Sequence, residues 1–254
     1  MDRGSSASSE TIEEAQAVAR RFIAQRYPGA MAALLAGSRA RGEGGPRSDY
    51  DIFLLFDALP QGAWRERAFF EGRTFELFAH DRGTLSYFCR TVVGRSGVPS
   101  VPQMVVDGIA LLGEGGTALA AARSLAARTL AAGPPPLDPP TRLSRVSAIT
   151  ELTEILADSP PGPARIVVGG ALYPMLADFA LRAAGAWGAS MKRLPAAVAE
   201  LDPALAGRFD AAFTALFRDG DPRPVLELAD SILTRHGGRP RDGFRIASPP
   251  SWRD

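Results

Sequence analysis

The sequence predicts an α+β fold in two parts, a mixed-sheet domain followed by a helical bundle, over 254 residues. Three observations carry this. Short apolar runs separated by glycine-rich turns concentrate in the first half. Apolar residues at helical spacing dominate the second half. Between the halves stands Gly133-Pro134-Pro135-Pro136, with Pro139-Pro140 close behind, a stiff stretch suited to a linker. The expected organisation is a disordered N-terminus at 1–8, a sheet-bearing catalytic domain at 9–132, a linker at 133–140, a helical domain at 141–238 and an irregular tail at 239–254.

Composition excludes several classes. Hydrophobic residues make up 46% and charged residues 22%, the balance of an ordinary globular chain. A formal net charge of +1 supplies no global field toward nucleic acid or anionic lipid, so neither is expected as a partner. The single cysteine, Cys89, rules out an intrachain disulfide and reads as a small packed hydrophobe. The N-terminus lacks the apolar stretch of a signal peptide. No apolar run spans a bilayer without interruption by charge or proline. The expected location is the cytoplasm.

The elements follow in order. Thr11-Ile12-Glu13-Glu14 has the spacing of a capping box, so a helix starts there. Ile12, Ala15, Val18, Ala19, Phe22 and Ile23 form its apolar stripe, and Pro28-Gly29 stops it. Ala30–Ala36 is a short apolar run, read as a buried strand. Gly37–Ser48, rich in glycine and arginine, is not strand. Asp51–Phe56 reads as a second strand, Thr74–Ala79 as a third and Gly108–Leu112 as a fourth. Helical patterns occupy Ala118–Ala132, Thr141–Ala157, Ala164–Ala184, Pro195–Leu201, Pro203–Arg218 and Val225–Arg235.

The chemistry concentrates at Gly37-Ser38-Arg39-Ala40-Arg41-Gly42 and Ser48-Asp49-Tyr50-Asp51. Alternation along a strand puts Asp49 and Asp51 on one face, with Tyr50 on the other. Two carboxylates that close repel by about 3–4 kcal/mol at an effective dielectric near 20. A divalent cation removes that cost, and Mg²⁺ is the oxygen-seeking candidate. Gly37 lets a phosphate approach the backbone, and Ser38 adds a hydroxyl donor. A triphosphate cradled there lies beside the metal, the layout that in-line displacement at phosphorus requires. Arg41 is a further candidate for the phosphates, and Arg39 a weaker one.

The pattern Gly-Ser, a short gap, then Ser-Asp-x-Asp on a strand resembles the nucleotidyltransferases of the DNA polymerase beta superfamily, kanamycin nucleotidyltransferase and its aminoglycoside-modifying relatives above all. The resemblance implies ATP or another NTP as co-substrate, with Gly37, Ser38 and Ser48 as nucleotide contacts. It implies a third carboxylate on a neighbouring strand. Glu76, between Phe75 and Leu77, matches that position, either completing the metal site of Asp49 and Asp51 or taking the proton of the attacking hydroxyl. Glu154 falls where the kanamycin enzyme carries its base, but Asp158 stands where that enzyme follows with a lysine. Lys192 is the substitute candidate for that positive charge. The resemblance further implies a small hydroxylated acceptor such as an aminoglycoside antibiotic, hence a role in antibiotic resistance, and a homodimer. Two alternatives are an antitoxin-type enzyme modifying a protein hydroxyl and a non-catalytic nucleotide-binding protein.

Other features carry nothing similar. His80 and His236 lack partners at metal-ligand spacing, and His236 reads as a helix C-terminal residue favoured by the dipole. Gly113-Glu114-Gly115-Gly116 is not a P-loop, since no lysine followed by serine or threonine comes after it.

Overall fold

The computed structural model describes residues 10–240 and 245. The expected disordered stretch at 1–8 and most of the tail lie outside them. The chain divides into two compact units, Met1–Gly133 and Pro134–Asp254.

The first unit opens on α1 (Ile12–Arg26), started by the predicted capping box: Thr11 Oγ1 accepts from Glu14 N, and Glu14 answers at Thr11 N. Strand β1 (Ala32–Ala36) ends in the four-residue helical turn α2 (Gly37–Ala40), and β2 (Tyr50–Leu55) follows. Then come β3 (Trp64–Phe70) and β4 (Arg73–His80), a hairpin closed by Glu71 and Gly72, both at positive φ. That geometry matches the twist of adjacent strands. Three short helices, α3 (Arg82–Tyr87), α4 (Val93–Ser96) and α5 (Ser100–Asp107), lead to β5 (Ile109–Leu112) and the long α6 (Thr117–Ala132). A π-helical turn, Phe88–Val92, joins α3 to α4.

Among the described residues the strands form one mixed sheet in the order β3-β4-β2-β1-β5. Only the β2–β4 pair is parallel. One face, with Leu35, Tyr50, Ile52, Leu54, Phe75 and Leu77, packs on α1 through Val18, Phe22 and Ile23. The other, with Leu34, Phe53 and Leu55, packs on Leu85, Val105 and Leu119. Cys89 is buried in this second layer, as expected of a small hydrophobe, and burial pushes its thiol pKa up.

Strand β3 was not legible. Trp-Arg-Glu-Arg lacks the alternation of a half-buried strand, because β3 is an edge whose side chains are largely exposed. The helices over 82–107 also lacked a clear period, being short and interrupted by Gly97, Pro99 and Pro102.

The second unit is helical. It contains α7 (Pro139–Asp158), α8 (Pro163–Ala183), α9 (Leu194–Leu201), α10 (Pro203–Thr214) and α11 (Arg223–Arg235). Pro139 and Pro140 belong to the first turn of α7, where a missing N–H is harmless, so the linker is shorter than the proline pattern suggested. α8 is long and apolar enough to cross a membrane by length and composition. Here Leu172, Leu176 and Phe179 are buried in the core of the unit. Buried Arg182 donates to the Pro135 carbonyl at 2.8 Å and fastens the linker to α8. The start of the expected irregular tail is anchored: Arg239 donates to Asp230 and to Thr153 Oγ1, each at 2.8 Å.

Candidate functional site

The face of the sheet that packs on α3, α5 and α6 changes character at one end. Running back along β2, Leu55 and Phe53 give way to Asp51, and Asp49 immediately precedes the strand. Asp51 pairs in register with Ala36 at the end of β1 and with Glu76 on β4. Asp51 and Glu76 therefore stand abreast on neighbouring strands, with Gly37 directly beyond Ala36. Gly37 sits at φ +68°, and a Cβ there would lie 1.8 Å from Asp51 Oδ2. The glycine is thus required twice, for its backbone conformation and to leave room for the carboxylate.

Tyr50 behaves as alternation demands. Its ring is fully buried on the opposite face, stacked on Phe75, and its hydroxyl donates to both Glu10 carboxylate oxygens at 2.6 Å. Burial and then the Glu10 contact push its pKa up to about 12.

Arg39 proves structural. It is 7% exposed, and its guanidinium lies 4.2 Å from the Tyr50 ring centroid and pairs with Glu10. Its Nε and Nη2 donate to the Ser48 carbonyl at 3.0 and 2.7 Å. A Cβ on Gly44 would meet Arg39 Cγ at 2.8 Å, so the loop folds directly over this side chain. Gly45 N donates to Ser48 Oγ at 3.0 Å and closes the loop. Sequence reasoning missed this network. The signal available was an arginine immediately after Gly-Ser, but only burial separates a structural guanidinium from a phosphate ligand. Arg41, by contrast, is exposed and paired with Glu43 at 2.8 Å.

A second pair of arginines was also missed. On β3, Arg67 faces Glu76 in register, and Arg65 lies one position along the same face, opposite Phe78. Arg65 pairs with Glu76, and Arg67 Nη2 stands 3.8 Å from Asp49 Oδ1. Guanidinium groups therefore stand beside Asp49 and Glu76, where the sequence pattern points to a cation alone. The donor set of Asp49, Asp51 and Glu76 is all carboxylate oxygen and suits a hard divalent ion. Among the described residues, however, no three His, Cys, Asp or Glu side chains are gathered closely enough to hold one.

Glu154, on α7, and Lys192, in a 3₁₀ turn before α9, are both exposed in the second unit. His80 closes β4, buried between Phe53 and Phe88, and burial holds its pKa below the ordinary 6.5 against the opposing pull of Asp81. The native state thus refuses a proton that the unfolded chain accepts. His80 stabilises fully above about pH 6.5, and that contribution is lost as pH falls from there toward the depressed native value. His80→Leu is expected to flatten this loss, read as the difference between urea midpoints at about pH 7 and about pH 5. His236 caps the end of α11, but burial, Arg142 and Arg235 lower its pKa. His236 thus stands at the helix C-terminus as its sequence position suggests.

The glycine–serine turn and the acidic end of β2 lie together at one end of the mixed sheet. Residues 18–82, from within α1 to just past β4, match the profile of a family described as "Nucleotidyltransferase domain". The first unit accordingly carries a nucleotidyltransferase domain at residues 18–82, the chain is a nucleotidyltransferase enzyme, and its general activity is transfer of a nucleotidyl group. Among solved structures, the chain is similar to a nucleotidyltransferase-like protein from Exiguobacterium sibiricum. The identity is 9% and the TM-score 0.41, over 87% of this chain and 74% of that one. No curated protein matches.

Proposed function

We propose that the enzyme moves a nucleoside monophosphate, AMP from ATP, onto a hydroxyl group of a small molecule. The observation that carries this is the placement of Asp51 against Gly37 and abreast of Glu76. In this reading the triphosphate lies along the Gly37-Ser38 turn, with Ser48 and Arg41 at its margin. Asp49 and Asp51 are the residues that would hold Mg²⁺, with Glu76 kept for the acceptor's proton. When bound, the ion supplies charge neutralisation at the phosphates. The acceptor oxygen bonds to the α-phosphorus, the bond from that phosphorus to the bridging oxygen breaks, and pyrophosphate leaves. The hydroxyl proton passes to the Glu76 carboxylate.

Glu154 as a second base, Lys192 as a phosphate contact and a homodimer follow from the sequence resemblance and belong to this proposal, as does the cytoplasmic location expected from composition. A second reading, nucleotide binding without turnover, is favoured by the Arg65–Glu76 pair, which engages the carboxylate assigned to the proton. Incubation with Mg²⁺, ATP labelled at the α-phosphorus, hydroxylated small molecules and cell extract separates the readings. Label on a small molecule with pyrophosphate release is the expected result. Tight ATP binding with no pyrophosphate release overturns catalysis, and label on a protein moves the acceptor to an antitoxin-type target.

A further inference from the structure

We infer that the acceptor is a small anion, a hydroxyl compound carrying a phosphate or carboxylate group that Arg65 and Arg67 bind. The inference rests on the transfer reading above and names its substrate class.

The argument is directional. In-line displacement puts the attacking oxygen and the leaving pyrophosphate on opposite sides of phosphorus. Gly37 and Ser38 lie at the end of β1, Asp51 on β2 and Glu76 on β4, and the sheet runs β3-β4-β2-β1. With the leaving group over β1 and the proton acceptor on β4, the hydroxyl approaches over β4 and the body of its molecule extends over β3. Neighbouring strands are about 4.8 Å apart, so β3 is within the span of one sugar ring.

That stretch of β3 presents Arg65, Arg67 and Phe69 on the face that carries Asp51 and Glu76. The two arginine side chains are 67% and 73% exposed, and Phe69 is 69% exposed. The Arg65 guanidinium lies 5.2 Å from the Phe78 ring centroid, which gives it a preferred orientation. The contact of Arg67 with Asp49 is of the weak, solvent-screened kind that exchanges readily. Arg65, by contrast, donates from Nε and Nη2 to Glu76, so an acceptor's oxyanion competes with that carboxylate for it. A guanidinium fork matches an oxyanion in two parallel hydrogen bonds. A polyamine has no oxyanion to offer either guanidinium fork, unlike a phosphate or carboxylate. Protection of an edge strand against pairing also calls for charge, but a charge of either sign serves it, and two arginines aimed at the acidic end are not required.

The test uses the full chain with Mg²⁺ and a non-hydrolysable ATP analogue, and reads acceptor binding by calorimetry. The probes are glucose, glucose 6-phosphate, kanamycin and a short oligoribonucleotide. Glucose 6-phosphate is expected to bind about tenfold or more tightly than glucose, as suits a charge-assisted bidentate contact. The double variant Arg65→Gln, Arg67→Gln is expected to erase that preference, and Arg65→Lys, Arg67→Lys to keep part of it. Affinity for the ATP analogue is expected to stay within about twofold in both variants. Equal binding of the two sugars, tighter binding of kanamycin or of the oligoribonucleotide, or an unchanged preference in the glutamine variant each overturns the inference. Failure of the wild-type protein to bind the ATP analogue overturns the transfer reading itself.

Discussion

Asp51→Asn is expected to slow nucleotidyl transfer by about a thousandfold, equivalent to about 4 kcal/mol of transition-state stabilisation. The substitution keeps the shape of the side chain and removes one negative charge. It falls where the end of β1, the glycine–serine turn and Glu76 converge. An amide in place of a carboxylate is a poor ligand for a hard cation, so both metal affinity and phosphate alignment suffer. The thermal transition is expected to stay within about 3 °C of wild type, because Asp51 stands at the polar end of the face and the core begins at Phe53. The measurements are a pyrophosphate-release assay and a melting curve on the same preparation. Transfer at the wild-type rate would remove Asp51 from the machinery.

Gly37→Ala is expected to lower transfer by about a hundredfold or more, since a sub-ångström to ångström displacement of a reacting group carries that cost. Two effects combine. Alanine at φ +68° carries backbone strain of about 1–2 kcal/mol, a fall of about 2–8 °C in melting temperature. The new methyl group also falls 1.8 Å from Asp51 Oδ2, so the carboxylate must swing away. Gly220 separates the two. It sits at φ +70° with nothing within 4 Å of a built Cβ. Gly220→Ala is therefore expected to lose similar stability and keep its activity. If both variants kept full activity, the close packing of Gly37 on Asp51 would have no catalytic meaning.

Much of this architecture is written locally. Thr11 and Glu14 announce α1 because a capping box needs only four consecutive residues. Pro203 at the start of α10 is legible for the same reason, whereas Pro139-Pro140 reads as linker although it opens α7. The acidic strand and the Gly37-Ser38 turn are close enough in sequence to be read as one constellation, and Glu76 follows only from the family resemblance. What stayed hidden depends on partners distant in the chain. β3 is a strand because β4 pairs with it, not because Trp64–Phe70 has a strand-like pattern. Arg39 looks like a phosphate ligand until Tyr50, Glu10 and the Ser48 carbonyl enclose it. Arg65 and Arg67 look like surface decoration until β4 brings Glu76 alongside. The predicted cation was inferred from the repulsion of two aspartates, and that inference omitted the arginines because nothing in the local sequence links them.

The placement of β4 between β2 and β3 has a consequence for how the protein reaches its working form. β4 joins β3 through a two-residue turn, whereas its alignment with β2 closes a much longer loop. Short loops close at lower entropic cost and faster, so the hairpin is the earlier structure and its docking on β2 the later one. Asp51 and Glu76 meet only at that docking. On the proposed reading, competence to react is consequently a property of the completed sheet, since the hairpin alone holds Glu76 without Asp51.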